Sequence, residues 1–351
     1  NKLRLLYFLV FCCTASWLPI FADYLKDHGL DGIKTAIILS VTPCMMFAVQ
    51  PFVGMLADKF GYKKCLLIAS FFSALSYFLY LINGGFIYLF VITICMSFFY
   101  NTIQPLLDSL SLQLAQDDPK FSYGSLRIAG AAGWSFTGII VGQFIDSIST
   151  TVIFISAGIS MFLCFCFSFF IGHKIKLTAS TENVGRKNFK KIISNNALLI
   201  LLAAVFLVSA GATTIWNFYS LYMKENGASA ALVGYGISFQ GLCELPLFYF
   251  SAKIIARLGI KNTLLLTIFS TAVRLLLYSI VSNPKAAIAI EVLHGFSWSL
   301  FWVVCVEYVN SIIPEHNRAA GQSLLYASYY GIGALAGNLW TGFLYDSHMK
   351  I

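Results

Sequence analysis

Long apolar runs, broken by short polar or Gly/Pro punctuation, fill this chain from end to end. From Cys65 to Leu107 there are 43 residues without one Asp, Glu, Lys or Arg, interrupted only by Asn83-Gly84-Gly85. One crossing of a bilayer takes about 20 apolar residues, so this stretch reads as two crossings and a tight turn. The same pattern predicts helices near 4–25, 34–57, 64–83, 86–114, 123–145 and 149–172. After the polar segment "HKIKLTASTENVGRKNFKKIISNN" (173–196), further helices fall near 197–223, 229–257, 262–282, 285–312 and 319–345. The expectation is an all-α membrane protein: a six-helix bundle (1–172), a basic linker (173–196) and a bundle with five helices present (197–351). Ten apolar runs follow the first, so the first is read as a spanning helix and not as a signal peptide.

Composition sharpens this picture. The chain is 58% hydrophobic and only 11% charged, whereas a soluble domain carries roughly a quarter charged residues. Arg127 and Arg274 fall inside spans. With the N-terminus in the cytoplasm, sixteen of the other Lys and Arg residues lie on the cytoplasmic side and only Lys26, Lys34, Lys224, Lys285 and Lys350 face out. That asymmetry orients the chain N-terminus-in, in the plasma (inner) membrane. It also accounts for the net charge of +8 without a nucleic-acid partner. The nine cysteines all lie in or beside apolar runs, with no spacing of a zinc site or redox pair, and serve as small apolar fillers.

A repeat with a period near 200 is visible. "DKFGYKK" (58–64) matches "ARLGIKN" (256–262) at Lys59/Arg257, Gly61/Gly259 and Lys63/Lys261. The fifth and eleventh spans agree at Gly133/Gly333, Gly142/Gly342 and Asp146/Asp346. Two halves in one orientation, joined by a long basic linker, are the layout of a parallel-repeat transporter. The sixth span maps onto residues after 346, where only "SHMKI" remains, so a twelfth helix is expected to be missing from this chain.

"GMLADKFGYKK" (54–64), between the second and third spans, resembles the loop signature of the major facilitator superfamily. Its elements here are Gly54, Asp58, Lys59, Gly61, Lys63 and Lys64. Glycines allow close helix approach, Asp58 suits a neighbouring helix N-terminus, and the lysines hold the loop at the interface. Within that superfamily "RIAGAAGW" (127–134) resembles the fifth helix of lactose permease-like oligosaccharide:proton symporters. The resemblance implies that Arg127 bonds sugar hydroxyls and that Trp134 is the plate under a pyranose ring. Arg274 followed by "EVLHGF" (291–296) resembles the ninth and tenth helices of the same group, with Arg274 and His294 on its functional arginine and histidine. The group's glutamate three residues later is Ser297 here, its tenth-helix lysine is Glu291, and its seventh-helix acidic pair has no counterpart in "GATTIWNFYS" (211–220).

The buried polar residues carry their own signal, because a charge at the bilayer centre costs at least about 2.5–3.5 kcal/mol. Arg127, Gly130 and Trp134 stand at i, i+3 and i+7, with Gly130 leaving room between guanidinium and indole for a hydroxylated ring. The alternative is an arginine that snorkels to the cytoplasmic interface. Asn101, Gln104 and Asp108 form a polar stripe on the fourth span, and Asp108 is the expected partner of Arg127, in a loosening or purely structural ion pair. On the tenth span Glu291, His294, Trp298 and Trp302 share a face; Glu291 and His294 sit one turn apart and are expected to share a proton beside Arg274. Glu244, at i+4 from Gln240, is the strongest remaining proton carrier, and Glu307, about 200 residues after Asp108, ranks below it. Trp216, Tyr219, Tyr326, Tyr329 and Tyr330 are candidates to line the cavity or simply to pack.

No Walker motif, metal-ligand cluster or nucleophile elbow is present, so neither ATP drive, a cofactor nor enzyme chemistry is expected. The expected function is secondary active transport of a small hydroxylated solute, sugar or nucleoside, by alternating access with proton symport, by a monomer. Carriage or export of aromatic acids or drugs is the alternative, and a sensor or receptor on a transport fold the more distant one.

Overall fold

The computed structural model describes residues 2–117, 123–171, 194–314 and 318–347. Among them eleven helical segments and no strand occur. They are α1 (Lys2–Asp27), α2 (Gly32–Phe60), α3 (Tyr62–Leu79), α4 (Phe86–Asp117), α5 (Tyr123–Ser147) and α6 (Val152–Ser168), then α7 (Asn196–Glu225), α8 (Ala230–Leu258), α9 (Ile260–Ile280), α10 (Pro284–Ile312) and α11 (318–346). Seven of the helices are long and apolar enough to cross a membrane by length and composition. Most of the expected 173–196 linker lies outside the described residues.

Each half runs its helices up and down with short connections, and the ends are set by recognisable residues. Asp31, Asn195 and Ser229 cap α2, α7 and α8, each side chain accepting from the backbone N–H three residues on. Gly61 and Gly259 join α2 to α3 and α8 to α9 with φ of 86° and 79°, a conformation that side chains disfavour. Gly29 and Gly227 repeat the same device in the α1–α2 and α7–α8 turns, with φ of 77° and 85°. The period-200 repeat is therefore also a repeat of backbone conformation.

The surface is inverted relative to a soluble protein. Ile87, Ile200, Leu207, Tyr249 and Trp340 point outward, while serines, threonines and asparagines lie inside. A belt of exposed apolar side chains is what lipid requires. Inside, hydroxyls and amides tie neighbouring helices together: Thr42–Ser97 at 2.9 Å, Thr214–Thr341 at 2.7 Å and Asn217–Asn338 at 2.7 Å.

The halves meet along α5 with α8 and along α2 with α11, where glycines bring backbones together. A Cβ at Gly142 would stand 2.6 Å from the Ala230 carbonyl, and one at Gly342 would strike the Gly32 carbonyl at 2.6 Å. Gly138 packs against Ser238 and Gly234 of α8. Gly333 and Gly337 of α11 pack on Ser209 and Ala210 of α7 within their own half. Of these two glycine pairs, only Gly138 and Gly142 therefore lie on the seam between the halves.

At the end of the bundle holding the α1–α2, α5–α6 and α7–α8 turns, polar groups also cross the seam. Lys224 Nζ lies 2.7 Å from Asp23, which also accepts from the Ser220 hydroxyl. Lys26 pairs with Glu225 at 3.0 Å, and Tyr345 donates to the same carboxylate at 2.5 Å.

Candidate functional site

Two helices of the C-terminal half depart from α geometry where the candidate residues cluster. After Pro284–Ile290, α10 tightens to a 3-10 turn over Glu291–Leu293, then widens to a π-helix over Gly295–Leu300 before Phe301–Ile312 resumes as α. In α11 a π segment spans Ala327–Gly333. Such single-turn departures are rare and concentrate at functional sites. Broken helices near mid-membrane are also how transporters build substrate sites.

The altered register decides who meets whom. Glu291 and His294 do not face each other as an unbroken α-turn would have them. Glu291 turns to α9, where it is completely buried, pairs with the Arg274 guanidinium and accepts from the Tyr278 hydroxyl. Arg274 also donates to Ser297 Oγ at 3.3 Å, so the serine at the symporters' glutamate position serves as a ligand of the arginine. His294 turns the other way: its Nε2 lies 3.0 Å from Glu244 Oε1 on α8. Glu244 thus finds its partner 50 residues away.

The rings assemble around Trp216 of α7. Its centroid lies 5.7 Å from Trp134 of α5, 5.3 Å from His294 and 5.5 Å from Trp298, each nearly edge-to-face. From Trp298 the cluster continues to Trp302, Tyr329 and Tyr330, with Tyr326 against Trp302 at 4.8 Å. Edge-to-face contacts of this kind add about 0.5–1.5 kcal/mol each beyond burial. The Glu244–His294 pair thus has an aromatic wall on one side. Trp216 was one ring among several in the sequence; only the α5–α7–α10 packing makes it the hub.

On the N-terminal side, Trp134 is 7% exposed and its indole N–H donates to the Ile237 carbonyl across the seam at 3.2 Å. The space at Gly130 is not left open: a Cβ there would meet the ring of Phe11 at 2.7 Å. The Arg127 side chain lies outside the described residues, though its backbone is helical in α5. Asp108 accepts from the Tyr7 hydroxyl at 2.6 Å, a contact that no spacing announces. Asn101 donates to the Thr42 carbonyl at 3.0 Å, and Gln104 is half-buried one turn along α4. Glu307, beyond the π segment, is exposed. In the loop motif Gly61 takes its positive φ and Lys63 donates to the Phe169 carbonyl at 2.6 Å, while Lys64 is exposed. Gly54 lies within α2, and the side chains of Asp58 and Lys59 fall outside the described residues. No group of three or more metal-ligating side chains occurs among the described residues.

An all-α apolar bundle of two repeat-related halves, with buried ion pairs and broken helices in the second of them, defines an integral membrane transporter of the major facilitator fold. The chain belongs to the MFS_1 like family, which it matches over residues 1–351. It is 26% identical over 343 residues to the uncharacterized transporter YwbF of Bacillus subtilis, covering 97% of this chain and 85% of that protein. It is also 26% identical over 349 residues to the maltose permease of Geobacillus stearothermophilus, covering 97% and 86%. The fold superposes on the crystal structure of the nucleoside transporter NupG with a TM-score of 0.85 at 20% identity, covering 99% of this chain and 91% of NupG. These relatives and neighbours are transporters and not enzymes.

Proposed function

We propose that this protein carries a small hydroxylated solute, a nucleoside or a sugar, by alternating access with proton symport. The observation that carries the reading is the Glu244–His294 pair, 3.0 Å apart, with Trp216 against the imidazole and Trp298 against Trp216. A carboxylate and an imidazole at that distance share a hydrogen bond whose strength changes when either group gains or loses a proton. Aromatic edges offer a face for a sugar or base ring, and Arg127, Asp108, Asn101 and Gln104 supply hydroxyl partners from the opposite half. Arg274 and Glu291 tune the charge beside the pair, and Glu307 is a subsidiary acid. The names of two matches, a maltose permease and a nucleoside transporter, agree with this substrate class.

In this account the N-terminus is cytoplasmic and the membrane is the plasma membrane. The ion-paired end is then the outer end, and the form described is closed outward. The bundles 1–172 and 197–351 rock about the α5–α8 and α2–α11 seams, linked by 173–196. The loop bearing Gly54, Asp58, Lys59, Gly61, Lys63 and Lys64 governs the cytoplasmic side. The protein acts as a monomer without a cofactor.

The test is a thermal-shift panel of nucleosides, sugars and small aromatic acids on wild type, Arg127→Ala and Glu244→Gln. Stabilisation by a nucleoside or sugar that Arg127→Ala abolishes supports the site. Stabilisation that survives Arg127→Ala unaltered removes Arg127 from it. The rich aromatic wall also favours a second reading, export of aromatic compounds, in line with 23% identity over 353 residues to the quinolone resistance protein NorA of Staphylococcus aureus. Stabilisation by aromatic acids alone would favour that reading.

A further inference from the structure

Asp146 and Asp346 end α5 and α11, 200 residues apart and at the same end of the bundle. Neither caps a helix of its own half. The two carboxylate oxygens of Asp146 accept from the backbone N–H groups of Ala230 and Ala231 at 2.8 and 2.8 Å. Those of Asp346 accept from Gly32 and Ile33 at 2.6 and 2.8 Å. The next amide of each helix is taken within its own half: Leu232 by Ser229 Oγ at 3.2 Å, and Lys34 by Asp31 Oδ1 at 2.7 Å. The first turns of α8 and α2 are thus divided alike, two amides to the opposite half and one to their own.

A helix start leaves unpaired N–H groups and a positive dipole end, which a carboxylate satisfies doubly. A carboxylate on a single methylene reaches them only when the two backbones nearly touch. Gly142, Gly32 and Gly342 permit that approach, since a Cβ at any of them would strike the facing helix or its cap. The bonds therefore exist only while this end is shut. The lysine pairs nearby, Lys224 with Asp23 and Lys26 with Glu225, ride on longer and more adaptable side chains.

We propose that Asp146 and Asp346 are a pair of repeat-related latches that hold this end of the transporter closed, and that both release together when it opens. The proposal rests on the alternating-access reading for its role in the cycle, but the latch itself is testable without a substrate.

The experiment is hydrogen exchange read by mass spectrometry on the full chain in lipid nanodiscs. Asp146→Ala is expected to raise exchange by about tenfold at residues 230–234 and, by a similar factor, at 32–36, where nothing was altered; a tenfold change corresponds to about 1.4 kcal/mol. Asp346→Ala gives the mirror result. Ser229→Ala and Asp31→Ala remove only the caps within a half and are expected to act locally. Should the alanine variants not fold, Asp146→Asn retains one acceptor and predicts a smaller remote change of the same sign. Gly142→Val predicts the remote change with both carboxylates intact. Remote exchange left unchanged in every folded variant would overturn the latches. Latch coupling in a protein that moves no solute would overturn only the transport reading.

Discussion

Glu291→Ala separates the structural ion pair from the proton-carrying one. The carboxylate is fully buried and Arg274 is 4% exposed, so the pair is not weakened by solvent screening. Removing one partner of such a pair leaves an uncompensated charge, which costs about 3–5 kcal/mol. Tyr278 also loses its acceptor, adding about 1 kcal/mol. The double variant Arg274→Met, Glu291→Leu removes both charges and keeps the volume, so it is expected to recover all but about 1–2 kcal/mol. The assay is reversible unfolding in mixed micelles, with stability followed for wild type, the single and the double variant. A single variant that loses less than the double, or that stays within about 1 kcal/mol of wild type, would refute the reasoning.

Three other expectations follow from local geometry. Gly61→Ala and Gly259→Ala place a side chain at φ near 80° with extended ψ, and each is expected to cost about 1–3 kcal/mol in thermal or micellar unfolding. Trp134→Phe keeps a ring in the cluster but leaves the Ile237 carbonyl without its donor, for a loss of about 0.5–1.5 kcal/mol. Asp31 lies outside the spans, and the Lys34 backbone N–H and ammonium hold its carboxyl below the usual range. Its folded value is thus depressed, so the cap's contribution is complete above the ordinary carboxylate value of about 3.9 and is lost as pH falls through the lowered one. Comparing wild type with Asp31→Asn across that window checks the sign: the difference should shrink on acidification.

Much of the fold was legible because spans are counted, not inferred. The helices at 86–114 and 229–257 announce themselves by length and by the polar residues that bound them, and the repeat was visible in Gly61/Gly259 and Asp146/Asp346. The partners were not legible. Periodicity places residues on a face of one helix, but His294 finds Glu244 only through packing of α10 on α8. The 3-10 and π turns of α10 have no signature in "EVLHGFSWSL", and they are what sends Glu291 and His294 in different directions. Gly130 reads as room for a ligand until Phe11 of α1 is seen to fill it. Asp23 did carry a signal, an acid inside the first apolar run, but its partners Ser220 and Lys224 lie about 200 residues away in the other half.

The most direct test of the central claim is solute flux in proteoliposomes, with an imposed pH gradient, comparing wild type with Glu244→Gln. The account predicts saturable uptake of a nucleoside or sugar that the gradient drives uphill. It predicts that Glu244→Gln loses accumulation while retaining exchange of labelled for unlabelled solute. Absence of saturable flux for nucleosides and sugars, with and without the gradient, would contradict it. So would a Glu244→Gln variant that still accumulates solute as wild type does.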